Sequence, residues 1–267
     1  MWPKTTSSRQ RTSGRLILND LAAGSPDTTS NHPLKCAYRV TQPGEIDLFA
    51  ADFLQVSVFH RWPNALDTML KTVDACRTSH KRYVIHPVEY FLAEIRPERR
   101  KIMMDDLRLM ARNADLALIV HDESTRGKKR LVDEEADAYR EGLGELSRFC
   151  VVSIENSGAN KDIKLFWREY ATSITLDIGH LEVAGIDSIR FVKTLEPDLV
   201  EKVDFVHMHR VNGVRGGIRD HWGLTEDCRE LKALKELLIR KKNLQVILEI
   251  IEAEDVEKSL DLLQSLA

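Results

Sequence analysis

The sequence predicts a single (β/α)8 barrel of the TIM type that follows a polar extension. Eight short apolar runs alternate with amphipathic stretches from residue 34 onward. The 267 residues are 43% hydrophobic and 30% charged, which is enough to bury one barrel-sized core. The sequence lacks the Gly-rich phosphate loop that a dinucleotide-binding sheet carries after its first strand. These observations favour a closed barrel over a doubly wound sheet.

Residues 1–33 differ in composition from the rest of the chain. They contain ten Ser or Thr residues and one apolar patch at residues 16–21. Such a segment is typical of an extension that is partly disordered or folded over a domain, and it resembles a transit peptide only weakly. We therefore expect an N-terminal extension over residues 1–33 and a barrel domain over residues 34–267.

Overall composition excludes several classes of protein. A net charge of −3 gives the chain no general attraction to nucleic acid or acidic membranes. The four cysteines form no CxxC pair, which favours a reducing compartment and thiols used as core residues. No apolar run approaches the ~18 residues that span a bilayer. We expect a soluble, cytoplasmic protein without a membrane partner, and composition leaves a homo-oligomer open.

Apolar runs predict the strands, and apolar spacing of three to four residues predicts the helices. The predicted strands are residues 35–40, 53–59, 83–85, 116–120, 151–154, 173–176, 205–208 and 245–248. The predicted helices are residues 65–76, 97–113, 133–149, 161–170, 187–203, 227–241 and 255–266. The first unit fits least well, because residues 43–51 are too short for an ordinary barrel helix.

Polar side chains gather where the predicted strands end. Ligands bind at the carboxyl ends of parallel strands, and alternate residues of a strand share a face. The residues predicted to point into the barrel mouth are Ser153, Glu155, Thr175, Asp177, Phe205, His207, His209, Ile247 and Glu249. Their neighbours, such as Val152 and Leu248, are predicted to pack against the outer helices. Six of the nine histidines lie at or just beyond strand ends, namely His86, His121, His180, His207, His209 and His221.

Taken singly, each of these groups has a simpler interpretation. A carboxylate that ends a strand is often a helix N-cap or a solvated loop residue. Carboxylates gathered in one mouth repel one another, however, unless a divalent cation neutralises them. Carboxylate and imidazole ligands together favour Mn²⁺, Zn²⁺, Fe²⁺ or Co²⁺, whereas Mg²⁺ prefers oxygen alone. The conjunction therefore predicts a divalent metal cofactor.

Three arginines follow the seventh predicted strand. Arg210, Arg215 and Arg219 lie in a glycine-containing loop. Arginine binds phosphate and carboxylate groups bidentately, so these side chains are candidates for holding an anionic group of a substrate. A solvated mobile loop is an equally good interpretation of the same residues.

The ordered motifs at the strand ends resemble those of the xylose isomerase-like TIM barrels. That superfamily contains sugar and sugar-phosphate isomerases and epimerases, and also abasic-site endonucleases of the endonuclease IV type. The resemblance covers the chain from about residue 34 to the C-terminus. The motifs that carry it are IHP at His86, VHD at His121, SIENSG at Glu155, TLDIGH at Asp177 and His180, VHMH at His207, RDH at His221 and LEI at Glu249.

The resemblance implies a set of functional residues. In the epimerase branch, one divalent metal is held by residues that match Glu155, Asp177, His207 and Glu249. The two glutamates are also the catalytic acid–base pair there, and His180 matches a residue that contacts the substrate. In the endonuclease branch three zinc ions also use histidines, which match His86, His121, His180 and His221.

The chain departs from both branches near its last histidine. Arg219 stands where an aspartate is usual, and residues 222–225 replace the common Gly-x-Gly. Because a carboxylate is lost there, we expect one firmly bound metal, with three as the upper limit.

Three functions stay open at this stage. The first is an isomerase or epimerase of a small sugar, sugar phosphate or related polyhydroxy carbonyl compound. The second is a metal-dependent phosphodiesterase that acts on abasic DNA, which is the only one that requires a nucleic-acid partner. The third is a metal-binding barrel with lyase, other hydrolase or non-catalytic function.

Overall fold

The computed structural model describes residues 34–125, 130–158, 160, 162–214 and 217–266, with the backbone alone at 213, 214 and 217–219. The expected extension over residues 1–33 lies outside this part of the chain. Ten strands are described: β1 Lys35–Val40, β2 Phe53–Phe59, β3 Arg82–Val88, β4 Leu118–His121, β5 Val152–Glu155, β6 Ser173–Asp177, β7 Val203–Met208, β8 Arg210–Val214, β9 Gly217–Trp222 and β10 Gln245–Leu248.

Nine α-helices accompany these strands within the described residues. They are α1 Ala65–Thr78, α2 Pro97–Asn113, α3 Asp133–Leu146, α4 Ile163–Tyr170, α5 Ile178–Val183, α6 Ser188–Lys193, α7 Pro197–Lys202, α8 Arg229–Arg240 and α9 Ala253–Gln264. Between β1 and β2 only the short 3-10 helix Pro43–Glu45 is present, in the interval that the sequence marked as too short for a barrel helix. No helix of the described residues combines the length and the apolar character that crossing a membrane requires.

Eight parallel strands close a barrel in the order β1-β10-β7-β6-β5-β4-β3-β2. The predicted (β/α)8 fold is therefore confirmed. Strands β5, β6, β7 and β10 are consecutive around the ring, with β6 and β7 between the other two. Glu155 ends β5, Asp177 ends β6, and His207 is the penultimate residue of β7, so all three reach the same end of the barrel.

The predicted alternation of faces is confirmed in both directions. The inner cluster fills the amino-terminal half of the barrel and consists of Ala37, Phe53, Val84, Ala117, Ile119, Phe205 and Ile247. The outward residues Val152, Ile154, Leu176, Val206 and Leu248 belong to the larger cluster beneath the helices. Because apolar side chains fill one half of the interior, the polar inward residues are confined to the other half, which is the mouth.

Helix α4 illustrates how the outer layer is held. Its buried residues Ile163, Phe166, Trp167 and Tyr170 are spaced three, four and seven residues from the first, which places them on one face. Tyr170 and Phe166 pack edge-on against Tyr139 of α3. This aromatic contact anchors the helices that flank β5, and therefore the strand that carries Glu155.

Two predictions about local structure were wrong. The predicted single helix at residues 187–203 is two helices, α6 and α7, because Pro197 cannot continue a helix and instead begins the second one. The loop after β7 is an antiparallel hairpin of β8 and β9. The short helix α5 was not predicted at all, since six residues are too few to show a helical period.

Candidate metal centre

The mouth of the barrel brings together the carboxylates and imidazoles that the sequence singled out. Glu155, Asp177 and His207 are fully buried, and Glu249 is 4% exposed. The Nδ1 atom of His207 lies 3.3 Å from Glu155 Oε2, 3.9 Å from Asp177 Oδ2 and 4.0 Å from Glu249 Oε1. The four residues that the family resemblance implied as metal ligands therefore lie together, with the three carboxylates around a single imidazole nitrogen.

The backbone at the ends of β5 and β6 holds two of these carboxylates in register. Asn156 donates its side-chain amide to the carbonyl of Asp177, and the amide nitrogen of Asp177 donates to Asn156 Oδ1, both at 2.8 Å. Asp177 Oδ1 then accepts the backbone N–H of His180 at 2.6 Å, as the N-cap of α5. The simple N-cap interpretation of Asp177 is thus correct for one oxygen, while Oδ2 is buried without a hydrogen-bond partner in the described structure.

A second set of ligand atoms lies on the other side of Glu155. His86 Nε2 is 3.2 Å from both Glu155 Oε2 and His121 Nε2, and His121 Nε2 is 3.6 Å from the same Glu155 oxygen. A tetrahedral site with metal–ligand bonds of about 2.0–2.2 Å has ligand–ligand edges of roughly 3.3–3.6 Å. The three atoms therefore form a triangle of the size that one zinc-like cation requires.

A third set contains only imidazoles. His180, His209 and His221 come from α5, the end of β7 and β9, and one ring nitrogen of each lies within 4.8 Å of the others. The rings of His209 and His221 pack against each other in a tilted arrangement, with their centroids 4.4 Å apart. This three-histidine set adjoins the carboxylates around His207, because His180 Nδ1 is 3.2 Å from Asp177 Oδ2 and 3.3 Å from Glu155 Oε1.

Electrostatics in the mouth are dominated by pairing between acids and imidazoles. Burial alone would raise the pKa of Glu155, but the imidazoles of His207 and His86 hold that pKa well below its ordinary value. Burial alone would lower the pKa of His207, but Glu155 and Glu249 raise it to about 9. In the metal-free chain, protons on imidazoles therefore supply the positive charge that the buried carboxylates need.

The donor chemistry of this centre fits a divalent cation. Both oxygens of Glu155, Asp177 Oδ2 and both ring nitrogens of His207 are buried without a hydrogen-bond partner in the described structure. Buried polar atoms are normally paired, because leaving one unpaired costs about 1–3 kcal/mol. Burial lowers the pKa of His121 to about 4, so its imidazole is neutral and has a free lone pair for a cation.

Two residues of the mouth were missed by the sequence analysis. Gln55, on the inner face of β2, donates its amide to Glu249 Oε1 and lies 3.2 Å from His86 Nδ1. Arg39 on β1 is paired with Gln55 in the strand register, and its charge contributes to holding the pKa of Glu249 down. Both lie two residues beyond members of the inner cluster, so the period-two rule that placed Glu155 would have found them.

Of the three arginines proposed for a substrate anion, only Arg210 has a described side chain. Arg210 donates through Nε to the carbonyl of Gly223 at 2.9 Å, a contact that ties the hairpin to the chain after it. Arg215 lies outside the described residues, as does the side chain of Arg219. Arg39 is the arginine whose position on the inner face of a barrel strand brings it to this centre.

Comparisons with known proteins bear on the fold. No protein-family model and no curated protein sequence matches the chain. A solved structure of TTHB071 protein from Thermus thermophilus, soaked with ZnCl2, has 19% identity and a TM-score of 0.58 over 88% of this chain and 98% of that one. Endonuclease IV from the same organism has 16% identity and a TM-score of 0.59, over 86% and 98% of the two chains.

A third similar structure comes from the epimerase side. It is D-psicose 3-epimerase with D-tagatose from Clostridium cellulolyticum, with 11% identity and a TM-score of 0.54 over 87% of this chain and 99% of that one. At these identities the similarity concerns the fold. The chain therefore shares the TIM-barrel fold of these structures, and its structural neighbours include xylose isomerase-like barrels, as its strand-end motifs predicted.

Proposed function

We propose that this chain is a metal-dependent isomerase or epimerase of a small sugar, sugar phosphate or related polyhydroxy carbonyl compound. The observation that carries the proposal is the placement of Glu155 and Glu249. Both are buried and both lie within 4.0 Å of the same nitrogen of His207, yet they come from strands separated by two others in the barrel. Two carboxylates that reach one point from different directions suit the transfer of a proton between the faces of a carbon.

The proposed metal ligands are Glu155, Asp177, His207 and Glu249. The unpartnered oxygen and nitrogen atoms among them support this assignment, and mixed carboxylate and imidazole ligands favour Mn²⁺, Zn²⁺, Fe²⁺ or Co²⁺. A divalent cation supplies Lewis acidity when it is bound, which makes a hydrogen next to a carbonyl group more acidic. Each ligating imidazole must be neutral, so cation binding displaces a proton from His207.

The two glutamates differ in how firmly they are held. Glu249 accepts a hydrogen bond from Gln55 and lies 3.3 Å from His86 Nδ1, whereas neither oxygen of Glu155 has a hydrogen-bond partner in the described residues. In the proposed reaction one carboxylate removes the proton from carbon and the other returns one to the opposite face. We assign Glu249 as the base, because Gln55 and His86 keep its carboxylate in one position.

The surroundings of Glu249 support a substrate with an anionic or hydroxyl-rich end. Arg39 lies on β1, paired with Gln55 in the strand register, and its charge helps to lower the pKa of Glu249. A guanidinium group near the mouth suits a phosphate or carboxylate group of a substrate. Arg210 donates only its Nε to Gly223, so Arg39 is added to Arg210, Arg215 and Arg219 as a candidate for this role.

The test is exchange of carbon-bound hydrogen with solvent. The metal-loaded protein is incubated in deuterated water with a panel of small ketoses, aldoses and their phosphates, and deuterium incorporation is followed by NMR. The proposal expects incorporation with at least one compound, and expects it to fall with Glu249→Gln. Absence of exchange across the panel in the metal-loaded protein would contradict the isomerase function.

A second candidate function is a metal-dependent phosphodiesterase that acts on abasic DNA. The observation that favours it is the triangle of His86, His121 and Glu155, because two cations that share a carboxylate suit phosphoester cleavage and are not needed by a one-metal epimerase. The test is incision of a duplex oligonucleotide with one abasic site, with the same duplex without that site as the control. Incision together with two or more tightly bound ions per chain would favour this function over the isomerase.

A further inference from the structure

The ring of His209 occupies a fixed position in the wall of the candidate metal centre. His209 follows β7 directly and is fully buried. Its ring lies against Gly179, where an added Cβ would come within 2.2 Å of His209 Cε1. The ring also packs against that of His221, with an angle of 37° between the planes. Because the ring is packed between these neighbours, its two nitrogens are held in the directions that the structure shows.

One of these nitrogens is an acceptor. The backbone N–H of His221 donates to His209 Nδ1 at 3.1 Å. A backbone amide always carries its proton, so Nδ1 must present a lone pair and the ring proton must be on Nε2. Because His209 is fully buried, no other arrangement of its ring satisfies the backbone N–H of His221.

The other two rings of the three-histidine set have the opposite arrangement. His180 Nδ1 lies 3.1 Å from the carbonyl oxygen of Asn156, and His221 Nδ1 lies 2.6 Å from the carbonyl oxygen of Glu249. A carbonyl oxygen can only accept, so both rings carry a proton on Nδ1, which leaves Nε2 as the nitrogen available for a cation. Within this set, His209 is therefore the ring that presents an N–H group instead of a lone pair at Nε2.

The N–H group of His209 faces a carboxylate. His209 Nε2 lies 3.3 Å from Asp177 Oδ1, which is within ion-pair distance although the alignment falls short of a hydrogen bond. The same oxygen accepts the backbone N–H of His180. Both donors therefore gather at Oδ1, and Oδ2 is left toward His207 Nδ1 and His180 Nδ1.

We propose that His209 is a positioning residue that orients Asp177, and that it is not a metal ligand. Its Nε2–H group faces Oδ1 at ion-pair distance, so that Oδ2 is the oxygen presented to the proposed metal centre. This inference rests on the proposed function only for the role of Asp177; the protonation of His209 follows from the backbone contacts alone. The three-histidine set accordingly offers two ligating nitrogens, from His180 and His221.

Nitrogen NMR tests the protonation directly on the full-length chain. The histidines are labelled with ¹⁵N, and long-range proton–nitrogen correlations are recorded before and after addition of Zn²⁺; the His209 signals are those that disappear in His209→Gln. The proposal expects a protonated Nε2 and an unprotonated Nδ1 in both states. A proton on Nδ1 together with a Zn²⁺-shifted Nε2 would show that His209 is a ligand and would overturn the proposal.

Metal affinity tests the positioning role. We expect His209→Ala to weaken Zn²⁺ binding about 10- to 100-fold in chelator competition, without changing the number of ions bound at saturation. His209→Gln keeps an N–H donor at the position of Nε2 and should recover most of that loss. Loss of one ion per chain in both variants would contradict the positioning role. Failure of the unaltered chain to bind Zn²⁺ would instead contradict the proposed function, so the two failures are distinguishable.

Discussion

Gly179 is the residue at which the packing of the metal centre can be perturbed most selectively. It lies in α5, in the LDIGH segment between Asp177 and His180. A Cβ added there would lie 2.2, 2.4 and 2.5 Å from three atoms of the His209 ring, whereas real Cβ contacts stay above 3.0 Å. Because the ring is buried and packs against His221, it cannot move away without breaking the contacts described above.

We therefore expect Gly179→Ala to destabilise the fold by about 1–3 kcal/mol, the usual cost of overpacking a filled interior. Gly144→Ala is the matched control, since Gly144 is an exposed residue of α3 with nothing within 4 Å of its added Cβ. That control should stabilise the fold by about 0.5–1 kcal/mol, because alanine is the better helix former. The free energy of unfolding is measured by urea titration of the full-length chain.

A double-mutant cycle identifies the ring as the cause. In a His209→Ala background the obstructing atoms are gone, so adding Gly179→Ala should cost little, with a coupling of about 1–3 kcal/mol between the two sites. An equal loss from Gly179→Ala in both backgrounds would refute the packing argument. A Gly179→Ala variant as stable as the Gly144→Ala control would refute it as well.

Three other predictions concern catalysis, metal count and pH. Glu249→Gln keeps one oxygen ligand but removes the basic lone pair, so turnover in steady-state kinetics should fall by about 10²-fold or more. Metal affinity, measured by chelator competition, should fall less. Undiminished turnover would show that Glu249 is not the base. His121→Ala should remove a weaker second ion and leave the firmly bound one, as measured by metal analysis across a Zn²⁺ titration. Loss of the firmly bound ion would contradict the assignment of that ion to Glu155, Asp177, His207 and Glu249. Burial raises the pKa of Glu123 to about 8, against about 4.3 in an unfolded chain, so the native state binds the extra proton and stability declines as pH rises between those values. The Tm of Glu123→Gln should therefore fall less between pH 5 and 8 than the Tm of the unaltered chain. An equal fall in both proteins would contradict the raised pKa of Glu123.

Much of the site could be predicted because its residues obey the period of a strand. Glu155 and Asp177 end apolar runs, and His207 alternates with outward residues such as Val206. Once the barrel is assumed, this alternation places their side chains in the mouth without any further information. The metal inference then needed only the chemistry of like charges, because three carboxylates cannot share a buried mouth without a cation or protonated imidazoles.

Other features depend on contacts that no local pattern encodes. Gln55 is one of two polar residues in β2, with Ser57; alternation would place Gln55 on the inner face, but its contact with Glu249 exists only in the folded barrel. The hairpin of β8 and β9 contains few apolar residues, so its composition indicated a loop. The tautomer of His209 is set by a backbone amide twelve residues away, and that information exists only in three dimensions.

Metal content is the most direct test of the central claim that Glu155, Asp177, His207 and Glu249 form a metal centre. The full-length chain is stripped with chelator, loaded with Zn²⁺ or Mn²⁺, desalted and analysed for metal per chain, beside His207→Ala and the control His80→Ala. His80 is exposed at the turn before β3, at the opposite end of the strand from His86. We predict one firmly bound ion per chain that is lost in His207→Ala and retained in His80→Ala. A chain that retains no ion, or a His207→Ala variant that retains as much as the unaltered chain, would contradict the account.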